Sequence, residues 1–145
     1  MSNIPDGAKP DLVFYFSVDS NITNITKSTL DTCLTETFNG VLFADPSLLE
    51  PIGKWATTQT IYDFNNTNSI LRNGILTFFL PQGSLDIINS VKITKNRQDN
   101  FVSPSGTFPY KIICGSDDFL YATGILVVIT NNDDLKRKVL VYFDK

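Results

Sequence analysis

No histidine occurs anywhere in the 145 residues. Its absence removes the usual general base at neutral pH, the histidine-activated serine and cysteine nucleophiles, and the commonest metal ligand. Cysteine is nearly absent too. Cys33 and Cys114 are too few to build a zinc site by themselves. They are read as two free, buried thiols in a reducing compartment, with a disulfide between them as the alternative. No apolar run reaches the length of a membrane span. The first residues, from Met1 to Gly7, lack the basic and apolar parts of a secretory leader. The expectation is a protein that is not secreted, resident in the cytoplasm or in a virion, with no membrane partner. The sequons at Asn21, Asn24 and Asn65 are then chance features of a chain rich in Asn and Thr.

Positive charge is in deficit, with 12 basic against 15 acidic residues and a net charge of -3. No strong field draws such a chain onto nucleic acid. Lys92, Lys95 and Arg97 cluster, and Lys136, Arg137 and Lys138 open the last apolar run. Nearby Asp99, Asp133 and Asp134 dilute both groups, which read as charges protecting exposed strand edges. The carboxylate pairs Asp117 with Asp118 and Asp133 with Asp134 fall in turn sequences and do not match calcium-loop spacing. Glycine-rich phosphate loops are missing, so no nucleotide is indicated and no cofactor is expected. Scarce Ala beside abundant Asn, Ile and Lys points to an AT-rich genome, such as that of a large DNA virus or a protist.

What is present is a succession of β-forming runs. A chain of this length buries one core. Runs rich in β-branched and aromatic residues cover 12–18, 37–43, 54–64, 70–80, 84–94, 107–114, 119–130 and 136–143, which makes eight strands. Turn sequences separate them, among them Asp45-Pro46-Ser47, Pro81-Gln82-Gly83 and Gly115-Ser116-Asp117-Asp118. The polar, threonine-rich segment 21–34 reads as a loop, and 1–10 as a mobile arm leading into a single domain over 11–145. In 54–64, Trp55, Thr57, Gln59, Ile61 and Asp63 share one face and Ala56, Thr58, Thr60, Tyr62 and Phe64 the other. Runs 125–129 and 139–143 are apolar on both faces, which suits a barrel lining on one side and a subunit contact on the other. The fold class is all-β, a single eight-stranded antiparallel barrel.

Three stretches set the order of the turns: Gly40-Val41-Leu42-Phe43-Ala44-Asp45-Pro46, Gly83-Ser84-Leu85, and 112–124 with Gly115, Asp117, Phe119, Ala122 and Gly124. In order and spacing, residues 37–143 resemble the barrel of plant dirigent proteins and allene oxide cyclases. The resemblance implies a central apolar cavity and assembly as a homo-oligomer, commonly a trimer. It also implies that an arginine should follow the motif's phenylalanine, where this chain has Leu120, and it puts the family's cavity aspartate at Asp45. Asp45 before Pro46 is equally a turn initiator. From the residues themselves, Gly115 is expected to take a positive φ angle, Asp117 to bond backbone donors in the turn, and Phe119 to start a strand. Ala122 and Gly124 are expected on the face of Leu120, where a barrel tapers or touches another chain.

The expected ligand-binding residues are Asp45, Tyr62, Tyr110 and Leu120, with Tyr121 as a further phenol, and no catalytic residue is assigned. Gly83, Ser84, Gly115, Asp117, Phe119, Ala122 and Gly124 are assigned structural roles. These residues lead to a non-catalytic barrel that acts by self-assembly, as in a structural protein of a large DNA virus, or by binding a small apolar ligand. The alternative is a dirigent-like or cyclase-like enzyme that steers a reactive apolar intermediate by confinement.

Overall fold

The computed structural model describes residues 7–18, 26–30, 33–63, 69–94, 106–130 and 135–145. Ten strands follow one another: β1 (Leu12–Ser17), β2 (Thr26–Leu30), β3 (Cys33–Phe43), β4 (Pro51–Asp63), β5 (Ser69–Leu80), β6 (Gly83–Ile88), β7 (Val91–Thr94), β8 (Gly106–Gly115), β9 (Gly124–Thr130) and β10 (Lys136–Phe143). Every pairing is antiparallel. The sheet runs β1-β10-β9-β8-β6-β5-β4-β3, and β1 returns to β3 through Tyr15 and Phe43 to close an eight-stranded barrel. Closure leaves these eight strands no free edge to template unwanted pairing.

Two strands lie outside the ring. β2 pairs with the first half of β3, from Thr26 opposite Thr37 to Leu30 opposite Cys33, so the segment read as a loop carries a strand. Its sequence, Thr-Lys-Ser-Thr-Leu, has the β-branched residues of a strand without an apolar stripe. The run 84–94 is not one strand. β6 and β7 both pair with β5, β6 along Ile75 to Leu80 and β7 along Ser69 to Arg72. Between them Asn89 donates its backbone N–H to the Gly74 carbonyl at 2.8 Å.

Register fixes the inward face. Phe14 and Phe16 of β1 stand beside Val139 and Arg137 of β10, which stand beside Val128 and Thr130 of β9. Across the ring, Trp55 pairs with Phe78 and Phe78 with Leu85. One half of the interior is packed solid with Phe14, Leu42, Phe78, Leu85, Ile87, Ile112, Leu126, Val139 and Val141, all fully buried. Phe14 meets Phe78 edge to face at 5.2 Å between centroids, and Phe16 lies 5.2 Å from Trp55. Such aromatic geometry adds about 0.5–1.5 kcal/mol per pair beyond burial.

The late motif differs from its sequence reading. Phe119 does not start a strand; it ends a 3-10 turn over Asp117–Phe119, and β9 begins five residues later at Gly124. Positive φ falls on Asp117 at 53° rather than on Gly115. Gly115 is needed for room, because a Cβ there would run into the Phe119 carbonyl. The turn is latched to the β5–β6 hairpin. Ser84 N–H donates to Ser116 Oγ at 3.0 Å, the two hydroxyls lie 2.7 Å apart, and Asp118 N–H donates to the Gln82 carbonyl at 3.0 Å. Phe119 is buried and stacks on Phe143 at 5.5 Å, with Ala122 packed on the same core.

Two carboxylates pin the described end loops. Asp45 accepts the backbone N–H groups of Glu50 at 2.9 Å and Leu49 at 3.1 Å. Asp11 accepts Lys145 Nζ at 2.7 Å and the Phe143 N–H at 2.8 Å, which ties the start of the barrel to its last residue. The backbone donor of Glu50 holds the Asp45 carboxyl below its ordinary value of 3.8, and the Lys145 ammonium does so for Asp11. A carboxyl lowered in the folded state contributes stability that is complete above 3.8 and is lost as pH falls through the lowered value. Thermal stability is therefore expected to decline on acidification through that window. The decline should be shallower in Asp45→Asn and Asp11→Asn, measured by thermal melts across the acid range.

Candidate functional site

The other half of the barrel interior is polar. Continuing inward along β4, the period of two that places Trp55 in the core places Thr57 and then Gln59 on the same face. Both are buried, and Thr57 Oγ1 donates to the Ile75 carbonyl at 2.8 Å. Along β5 the same alternation runs from Phe78 through Leu76 and Gly74 to Arg72, which is 6% exposed. Along β10 it runs from Val141 and Val139 to Arg137, which is 4% exposed. Thr130 of β9 faces Arg137 in register and is 2% exposed. Its Oγ1 is buried and has no hydrogen-bond partner among the described residues.

Tyr110 joins these residues. It sits on the inward face of β8, opposite Leu126, and packs on the apolar core. Burial raises its phenol above the ordinary value of 10.0, while the positive charges of Arg72 and Arg137 pull it back. The phenol is thus within electrostatic reach of both guanidiniums. Burial also lowers Arg72, which keeps its charge at any physiological pH because the guanidinium starts so high. Arg72 Nη2 donates to Asn89 Oδ1 at 3.3 Å, and Arg137 Nη1 to the Lys136 carbonyl at 3.1 Å. An apolar floor with two forked cations, a phenol, an amide and a hydroxyl at one end can hold a small molecule that carries acceptor oxygens.

The residues picked from the sequence scatter. Of those whose side chains are described, Tyr110 lies at this polar end. Asp45 is the turn acceptor described above. Leu120, 54% exposed, and Tyr121, 90% exposed, sit in the turn before β9 and face solvent rather than an interior. Tyr62 pairs with Cys33 and Leu71 in the sheet, and its side chain lies outside the described residues. Cys114 is a free thiol and is exposed, not buried. Asp133, Asp134, Lys95, Arg97 and all three sequon asparagines lie outside the described residues. Lys136, Arg137 and Lys138 do not guard an edge, because β10 is flanked by β1 and β9. Parity along that strand, Arg137 with Val139 and Val141, was the signal that one of the three charges points inward.

Two outer features complete the surface. A half-open groove of about 730 Å³ runs between residues 8–11, β8 and the end of β10, bordered by Lys9, Lys111, Ile125, Tyr142 and Lys145. On the outer faces of β5, β6 and β8, Ile75, Phe79, Ile88 and Ile113 are each about half exposed, with Ile75 directly opposite Ile88. Among the described residues no cluster of three or more metal-ligating side chains occurs.

No family model and no curated protein matches the chain. Among solved structures it is similar to pyocyanin demethylase, with 14% identity, a TM-score of 0.58, and coverage of 92% of this chain and 98% of that one. At that identity the likeness shows the barrel alone. Membership of the dirigent or allene oxide cyclase families has no support beyond the shared barrel form.

Proposed function

We propose that this protein binds a small molecule in the polar end of its barrel and does no covalent chemistry on it. The observation that carries the reading is the burial of Arg72 and Arg137, with half-buried Tyr110, at the polar end of a barrel whose other half is apolar. Taking a guanidinium out of water costs several kcal/mol even after relaxation. A barrel that needed only to be stable would fill that space with apolar side chains, as the other half does. The structural neighbour is named for demethylating pyocyanin, and its likeness supports the scaffold rather than that substrate. Native mass spectrometry of the protein purified gently from its own source tests the reading. One retained small molecule per subunit is expected; subunits of bare mass under conditions that keep other complexes intact would overturn it.

Self-association is a second reading, favoured by the strip formed by Ile75, Phe79, Ile88 and Ile113. Half-exposed large apolar residues that adjoin on one sheet face mark contact surfaces more often than lone ones do. The partner we propose is a second copy of this chain, in a dimer or trimer. Introducing charge with Ile75→Lys and Ile88→Lys together should reduce the mass measured by light scattering to that of one chain, 16.2 kDa. A wild-type mass already equal to one chain would remove this reading.

A further inference from the structure

We propose that the half-open groove on the outside of the barrel is a second binding site, one that takes a small organic anion with an apolar body. It is separate from the polar end. Leu126 and Val141 are fully buried, and side chains alternate along a strand, so their neighbours Ile125 and Tyr142 stand on the outer face. Ladder register sets Lys111 of β8, Ile125 of β9 and Tyr142 of β10 side by side in one row. Pro109, two residues before Lys111, lies on the same face, and all four line the groove. The floor is therefore an aliphatic side chain, a proline and an aromatic ring, with an ammonium on its β8 side. The facing wall is the segment 8–11, and it is held in place. The Asp11 N–H donates to the Val141 carbonyl at 2.7 Å, and the Asp11 carboxylate accepts the Phe143 N–H and Lys145 Nζ. A wall fixed in this way lets a ligand bind without the cost of ordering a loop.

Charge decides the class of ligand. The side chains bordering the groove include Lys9, Lys111 and Lys145 against Asp11 and Asp144. The ion pair of Lys145 with Asp11, at 2.7 Å, cancels one of each sign. Lys9 and Lys111 form no ion pair among the described residues, so the lining keeps a positive excess in a chain whose net charge is -3. An acid group can reach these ammoniums while the rest of the molecule covers Ile125 and Tyr142. A ligand polar along its whole length would leave part of its surface desolvated against that floor. A long polyanion would meet the acidic excess of the rest of the chain. The volume of about 730 Å³ suits one small molecule.

Titration with two probes of the same shape, followed by backbone amide resonances, tests this: 4-phenylbutyrate, which is anionic, and 4-phenylbutanamide, which is neutral. The acid is expected to move the amides of Gly124, Ile125 and Tyr142 and to bind about fivefold more tightly than the amide at low salt. High salt should erase the difference, because exposed charges are screened. Lys9→Met and Lys111→Met together should remove the preference and leave binding of the neutral probe unchanged. Both lysines are exposed, so circular dichroism should show an intact fold. Lys54→Met, at an exposed lysine of β4 away from the groove, should keep the preference. Equal affinity for the two probes at low salt, a preference that survives the double substitution, or no binding of the acid would overturn the proposal. Shifts confined to Arg72 and Arg137 would overturn it as well, while supporting the binding role of the polar end.

Discussion

Phe78→Ala is expected to lower the free energy of unfolding by about 3–5 kcal/mol, a large share of what a domain of this size possesses. Phe78 is fully buried at the centre of the packed half. It meets Phe14 edge to face at 5.2 Å and Phe16 at 5.9 Å, and in register it links Trp55 of β4 to Leu85 of β6. Truncation removes the ring, opens a cavity in a rigid closed sheet that cannot collapse around it, and loses two aromatic contacts. Urea unfolding followed by Trp55 fluorescence measures the change. A loss under about 1 kcal/mol would mean that the packed half is not the core it is described as.

Gly124→Ala should be comparably damaging, although it adds one methyl group. Gly124 has φ at +148°, a region essentially closed to residues with a Cβ, and a Cβ there would collide with the Tyr142 carbonyl. Its partner in the ladder is Phe143, whose ring stacks on Phe119. Relief of the clash therefore has to separate β9 from the end of β10 and disturb the turn that precedes it. Backbone strain of about 1–3 kcal/mol adds to the lost ladder contacts. Gly7→Ala is the control. Gly7 has φ at +77° with nothing within 4 Å, so only the conformational penalty applies and the melting temperature should fall far less.

The barrel was legible because its apolar alternation is strong in most of its strands. Runs such as 12–18 and 136–143 carry enough β-branched and aromatic residues to be read without context, and their spacing implies antiparallel neighbours. What was missed lacked that stripe or depended on distant partners. β2 is an outer strand of threonine, lysine and serine, recognisable only once β3 stands beside it. The break between β6 and β7 arises because both lie along one long strand, β5, and nothing local announces that. In 112–124, glycine and aspartate were correctly seen as turn chemistry. The positive φ nevertheless falls on Asp117, and Gly115 is needed instead because the Phe119 carbonyl takes the space a Cβ would occupy.

The chamber was partly legible as well. Tyr110 was singled out, and the face shared by Trp55, Thr57 and Gln59 was read along β4, without a way to know that it points inward. Arg72 and Arg137 were hidden by company. Arg72 lies beside Asn73 and Gly74 in a run read for its apolar residues, and Arg137 stands between two lysines on the other face of β10. Strict alternation places Arg72 with Leu76 and Phe78, and Arg137 with Val139 and Val141. A charged residue in phase with an apolar stripe is therefore the sequence signal to seek in closed barrels, ahead of conspicuous turns such as the one at Asp45.

Arginine side-chain Nε–Hε resonances, compared by nuclear magnetic resonance between the protein purified gently with any retained molecule and the same protein unfolded, dialysed and refolded, test the central claim most directly. Loss of a molecule from the polar end should shift the signals of Arg72 and Arg137 together. Unmoved signals from both arginines, with changes confined to the amides of Ile75, Ile88 and Ile113 on the outer face, would contradict it.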